Sequence, residues 1–232
     1  EQSTALGGQL LLAQQPPRKH EIGRAVQDLA HAARENGVVV RLGEQATPQA
    51  VLALAPDVVI VAVGALNLKP AIPGADGPNA CDAWQVLAGQ QTVRGRVAVI
   101  GGGVVGCETA EFLAVQGCQV TVVEQREVIA QGVSSTVLPT MLGNYTAHGV
   151  VARTGLKAIR IAPDSLICEN RNGVAESIAC DATVMAIGAG RTPFDVGALR
   201  ASGVTVVEVG DCHAVADIAH ATKTGYDAAN AI

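Results

Sequence analysis

The chain has 232 residues, 49% of them apolar, 16% charged and 2% aromatic, with a formal charge of −5 at pH 7. Such a chain can bury one large core or two modest ones. Its acidic balance, with no basic cluster longer than Arg18-Lys19-His20, excludes an extended nucleic-acid face. With no apolar run near the roughly 20 residues that cross a bilayer and no signal-peptide pattern, the expectation is a cytoplasmic protein with a small-molecule partner and no membrane contact.

In chain order, residues 1–17 are irregular, broken by Gly7-Gly8 and Pro16-Pro17. From Glu21 to Glu35 the residues Ile22, Val26, Leu29 and Ala33 recur at helical spacing, and Gly37 ends that helix. Val38–Arg41 reads as a short strand, and Thr47-Pro48 as a helix start. The β-branched run Val58 to Val63 predicts a buried parallel strand. A connector follows over Asn67–Gly77, then a brief helix at Ala83–Leu87.

Arg96–Ile100, Val104–Gln116 and Gln119–Val123 give strand, helix and strand, one βαβ unit of about 30 residues. After a helix near Val137–Thr146, short strands from Val150 to Ile178 are separated by Pro163-Asp164 and Asn172-Gly173, which predicts an antiparallel meander. Val184–Ile187 and Val204–Val209 are further strands, and Ile218–Ile232 is a closing helix. The strand-then-glycine pattern Ile60–Gly64 recurs at Val184–Gly188.

The chemistry concentrates at Gly101-Gly102-Gly103-Val104-Val105-Gly106, a G-x-G-x-x-G turn between an apolar strand and a helix. Gly101 permits the sharp turn, Gly103 lets a pyrophosphate approach the backbone, and Gly106 lets helix and strand pack closely. The helix amides then face the phosphates. Glu124 ends the next strand, where a carboxylate accepts the adenosine ribose hydroxyls and repels the extra phosphate of NADP. Gln125 and Arg126 follow, and Arg126 has the reach for a 2′-phosphate, but the acid favours NAD(H) over NADP. Glu108 lies at the start of the same helix, where the dipole favours a carboxylate.

These residues join Leu6-Gly7-Gly8-Gln9-Leu10, Val59 to Gly64, Gly101 to Ala110, Val122-Val123-Glu124, Asp181 to Gly188 and Val209-Gly210-Asp211-Cys212 in an order that spans nearly the whole chain. The order resembles the C-terminal FAD/NAD(P)-binding region of the 2-enoate reductase and 2,4-dienoyl-CoA reductase family of NADH:flavin oxidoreductases, to which trimethylamine dehydrogenase is related. The resemblance implies an α/β, three-layer fold of two interleaved Rossmann-like domains with an antiparallel β-meander. Residues 1–84 would form part of an FAD domain, 85–203 an inserted NAD(H) domain, and 204–232 the return to the FAD domain. Gly8, Gln9, Gly64, Gly210 and Asp211 would lie along FAD, Gly188 would line the nucleotide site, and Glu108 would help seat the nicotinamide.

The family's first strand, its first G-x-G-x-x-G and its upstream flavin barrel are not in this sequence, so by resemblance the chain is expected to start inside the FAD domain. FMN and an iron–sulfur cluster are expected only outside it. The implied activity is hydride transfer from NADH to FAD, feeding reduction of an enoate- or enoyl-type carbon–carbon double bond in that barrel. The alternative is a structural module that holds ADP or NAD without redox chemistry, as in trimethylamine dehydrogenase. A stand-alone dehydrogenase is disfavoured because no Tyr-x-x-x-Lys or His-centred pair is present. The six cysteines have neither zinc spacing nor C-x-x-C, and read as buried reduced thiols. The five histidines read as surface groups, with no metal spacing and no catalytic side chain assigned.

Overall fold

The computed structural model describes all 232 residues. Helices α1 (Leu10–Ala13), α2 (Glu21–Glu35) and α3 (Pro48–Leu52) precede strands β1 (Val58–Val61) and β2 (Ala65–Asn67). β3 (Ala80–Asp82) and α4 (Ala83–Leu87) lead into β4 (Arg96–Ile100), α5 (Val104–Val115) and β5 (Gln119–Val123). Next come α6 (Leu138–His148), β6 (Val151–Arg153), β7 (Leu156–Ile161), β8 (Ser165–Asn170), β9 (Ala175–Ala179), β10 (Ala182–Met185) and β11 (Ala189–Arg191). The chain closes with α7 (Val196–Ala201), β12 (Thr205–Glu208), a 3₁₀ turn over Gly210–Cys212 and α8 (Ile218–Asn230).

Local chemistry sets the predicted ends. Gly37 takes φ +80° after α2, as the left-handed stop of a helix does. Thr47 caps α3 by accepting the Ala50 N–H at 3.2 Å. At α4, Asp82 accepts the Gln85 N–H and the Gln85 side chain accepts the Asp82 N–H, a reciprocal capping box.

Contacts gather the chain into two units. The larger holds Gln9–Ala25 and Asn67–Gly188 and is built on a five-stranded sheet in the order β3-β10-β4-β5-β6. Every pair in that sheet is parallel. One apolar layer joins Val97, Val99, Val120, Val122 and Val184 of the sheet to Cys107, Ala110 and Leu113 of α5 and Met141 and Tyr145 of α6. The opposite layer joins Ala98, Ile100, Val123 and Met185 to Leu156, Leu166, Cys168 and Ile178 of the meander β7-β8-β9. Helices, sheet and meander thus form the three layers, and each fully buried valine contributes roughly 1.5–3 kcal/mol. In the β8–β9 hairpin, Gly173 takes φ +75° and the Asn170 side chain accepts the N–H groups of Asn172 and Val174.

The smaller unit holds Glu1–Gly8, Val26–Leu66 and Ala189–Ile232. β1 pairs in parallel with β12, and Val61, Leu199 and Cys212 form its buried core. Two expectations fail here. Val38–Arg41 forms no strand: Val39 is 81% exposed, and the neighbouring backbone is tied by Glu1 N to Arg41 O and by Gly43 N to Ser3 O instead of by a ladder. β1 is the parallel strand expected but is not buried as expected: it has one ladder partner, buries only Val61 and leaves Ile60 39% exposed. A third correction concerns His220, which sits in the first turn of α8 behind the Asp217 cap, half-buried and with Nε2 enclosed; the other four histidines are exposed.

Candidate dinucleotide-binding site

The order β3-β10-β4-β5-β6 reverses direction at β4, which makes the ends of β4 and β10 a topological switch point. Such a point opens a crevice beyond the strand ends. The glycine turn lies there. Gly101 takes φ +103°, and a Cβ on it would lie 2.3 Å from the carbonyl oxygen of Ala186, just after β10. A Cβ on Gly106 would lie 1.9 Å from the carbonyl oxygen of Gly101, so helix α5 starts against the turn itself. Gly103 is different: a Cβ there would meet nothing within 4 Å. Its backbone borders space that a ligand can enter. The first bond of α5 runs from Cys107 N–H to Gly103 O at 2.9 Å, which leaves the amides of Val104, Val105 and Gly106 ahead of the ladder.

Glu124 is 8% exposed, and its carboxylate accepts the Gly102 N–H at 2.6 Å and the Arg126 N–H at 2.8 Å. Two backbone donors fix the acid at the end of β5 with lone pairs to spare for ribose hydroxyls. The next loop closes on the turn. Ala130 N–H donates to Gly102 O at 2.6 Å, residues Gly103 and Gln131 form a parallel bridge, and Arg126 Nη1 donates to Gln131 Oε1 at 2.5 Å. From beneath, Cys107 Sγ lies 3.3 Å from Gly102 O, and Tyr145 Oη donates to Cys107 O at 2.9 Å. Burial pushes the Cys107 thiol up, so it stays protonated and donates.

Glu108 and Glu111, three residues apart on α5, accept salt bridges from Lys19 and Arg18. The Glu111 side chain is 4% exposed and the Glu108 side chain 12%, so both acids are neutralised where water is scarce. Arg18 takes φ +67°, an uncommon conformation for a side-chain-bearing residue. Sequence reasoning passed over Arg18 and Lys19 as a short basic cluster. Two acids at i, i+3 within an apolar helix were the signal that cations must meet them.

The larger unit therefore brings together Gly101, Gly102, Gly103, Val104, Val105, Gly106, Glu108, Glu124 and Arg126, with Gln125 exposed beside them. Gly188, φ +110° and open at its Cβ position, follows β10 in the same unit. Gln9 also belongs there, at the N-cap of α1. Gly8, Gly64, Gly210 and Asp211 belong to the smaller unit. There Gly64 (φ +72°) follows β1 and Gly210 (φ +62°) follows β12, with Gly210 N–H donating to Thr224 Oγ1 at 2.8 Å and Asp211 Oδ1 accepting the Ala216 N–H at 3.1 Å. All six cysteines are buried free thiols, and burial pushes Cys81 and Cys168 up to about 11, far from a reactive thiolate.

Residues 18–222 match the pyridine nucleotide-disulphide oxidoreductase family. Bilirubin reductase of Mediterraneibacter gnavus (strain CC55_001C) is 47% identical over 100% of this chain and 36% of its own length. NADH oxidase of Thermoanaerobacter brockii is 35% identical over 99% of this chain and 36% of its own. A 2-naphthoyl-CoA reductase solved with 2-naphthoyl-CoA superimposes with a TM-score of 0.90 at 25% identity, covering 97% of this chain and 34% of that one. The chain thus spans about a third of the length of each of these proteins. By a match that takes in most of its residues, the chain belongs to the pyridine nucleotide-disulphide oxidoreductase family and carries its FAD- and NAD(P)-binding fold.

Proposed function

We propose that this chain is the nucleotide-binding part of a flavin-dependent oxidoreductase, with NADH held by residues 85–203 and FAD by residues 1–84 and 204–232. The observation that carries the reading is the glycine turn, open at Gly103 and braced by a buried Glu124. The pyrophosphate sits against Gly101–Gly106, where the amides of Val104 and Val105 precede the helical ladder. Glu124 accepts the ribose hydroxyls, Gln125 and Arg126 border the adenosine, and Gly188 gives backbone access at the end of β10. Glu108, held by Lys19, orients the nicotinamide.

The smaller unit fits a flavin nucleotide on its own observations. Two positive-φ glycines end its strands, and Asp211 stands beside Gly210 as an acceptor for ribityl hydroxyls. Gly8 offers an open backbone position in the same unit. When bound, NADH and FAD would supply the hydride chemistry between them. This chain contributes position and hydrogen bonds, with no side chain acting as nucleophile. Electrons then serve an upstream flavin barrel, with FMN and an iron–sulfur cluster outside this chain, where an enoate- or enoyl-type double bond is reduced. The name of the 2-naphthoyl-CoA reductase, a relative with an acyl-CoA substrate, supports that substrate class.

The test is titration of the full-length protein with NADH. Glu124→Ala should weaken binding about tenfold or more, since a charge-assisted hydrogen bond is worth about 1.5–3 kcal/mol. No binding by the wild type, or no loss in the variant, sinks the reading. Rapid mixing with NADH should bleach the flavin absorbance; binding without bleaching leaves the non-redox ADP or NAD module.

A further inference from the structure

We infer that Gln131 sets the choice between NADH and NADPH by holding the Arg126 guanidinium in reserve. The inference rests on the NADH reading above and adds a residue to it. Arg126 lies two residues beyond the ribose acid Glu124, and both side chains of the Arg126–Gln131 pair are exposed to solvent. Its charge has no carboxylate partner. Glu124 accepts the backbone amides of Gly102 and Arg126 and forms no ion pair with the Arg126 guanidinium, and Glu127 pairs with Arg171. What Arg126 has is a neutral amide oxygen, Gln131 Oε1, at 2.5 Å. Most arginines of this chain that make side-chain contacts meet an acid, as Arg18, Arg96, Arg153, Arg191 and Arg200 do. An arginine left with a neutral partner keeps its full charge for an anion.

The keeper is itself fixed. Ala130 N–H is bonded to Gly102 O and residue 131 bridges to Gly103, so the backbone of Gln131 is registered on the glycine turn. An amide acceptor holds a guanidinium less tightly than a phosphate does. A 2′-phosphate on the adenosine ribose would therefore draw Arg126 away from Gln131, at the expense of that hydrogen bond. Glu124 opposes the same phosphate by its charge. The balance makes NADH the preferred nucleotide and NADPH a weaker second one, with Gln131 adjusting the ratio.

The experiment measures the ratio of NADPH to NADH dissociation constants by calorimetry on the full-length protein. Gln131→Ala releases Arg126 and should shift the ratio about threefold toward NADPH. Gln131→Glu tightens the hold and adds a negative charge, and should shift it about threefold the other way, in keeping with the modest strength of an exposed pair. Adding Arg126→Ala to Gln131→Ala should erase the gain. Opposite shifts from two variants at one position cannot come from loss of folding. The inference is overturned if both variants move the ratio in the same direction, or leave it unchanged, while NADH still binds the wild type. If the wild type binds neither nucleotide, the NADH reading itself has failed.

Discussion

Between two apolar layers of the larger unit, Val97, Ala98, Val99 and Ile100 of β4 are 0–6% exposed; in the smaller unit the equally apolar β1 leaves Ile60 39% exposed. Both strands are runs of β-branched and small apolar residues, and both run on to a glycine with positive φ. The difference lies in neighbours. β4 is flanked by β10 and β5 and covered on both faces, whereas β1 has β12 alone and a core whose buried members are Val61, Leu199 and Cys212. Composition specifies a strand, and how far it is buried follows from the strands and layers packed beside it.

The strongest way to break that comparison is at the tightest contact of the larger unit. Gly106→Val places a side chain where even a Cβ would lie 1.9 Å from the Gly101 carbonyl oxygen, and should cost about 4 kcal/mol or more in urea unfolding. Gly103→Ala, with open space at its Cβ, should unfold within about 1 kcal/mol of the wild type and yet bind NADH more weakly. Equal destabilisation by both would contradict the division between a packing glycine and a ligand-facing one.

A milder contrast compares two leucines of like burial, Leu113 at 1% exposure and Leu199 at 0%. Leu113→Ala opens a cavity in the extended core and should cost about 3–4 kcal/mol, while Leu199→Ala sits in a small core that can collapse and should cost about 2 kcal/mol. Hydrogen exchange read separately in each unit gives both numbers, and a larger cost for Leu199→Ala would reverse the ranking.

The smallest effect is at the surface of the larger unit. Arg96 donates to Asp181 through Nη2 at 2.6 Å and through its backbone N–H at 2.8 Å, which holds the Asp181 carboxyl down at about 2. A depressed carboxyl stabilises the fold above its ordinary value of 3.8, and that contribution is lost as pH falls through about 2. Asp181→Asn should therefore lower the melting temperature slightly at pH 7, and the deficit should shrink as pH falls from about 4 through about 2. A deficit that persists undiminished at pH 2 would assign the effect to something other than the charge.

The glycine turn was legible because its constraints are local. Gly101 and Gly106 meet each other within six residues, and Glu124 follows one helix and one strand later, so spacing alone exposes the device. The helix at Glu21–Glu35 was equally plain, with its glycine stop written beside it, whereas the capping box that starts Ala83–Leu87 was recognised only in the structure. Val38–Arg41 misled because β-branched residues state a preference and a strand also needs a partner. β2 and β3, three residues each, are too short to leave a periodic trace. The Lys19–Glu108 pair spans 89 positions, and no local pattern couples residues so distant.

Segment Gln9–Ala25 belongs by contact to the larger unit although Val26–Leu66 of the other unit separates it from Asn67–Gly188. A gene fragment cut at residue 67 would leave Arg18 and Lys19 behind, and the nearly enclosed carboxylate of Glu111 would lose its cation. An uncompensated buried charge is destabilising by several kcal/mol. The nucleotide-binding unit is therefore not a cassette that recombination can lift out in one piece: any exchange of it between proteins must carry the distant basic strap along, or replace both acids at once.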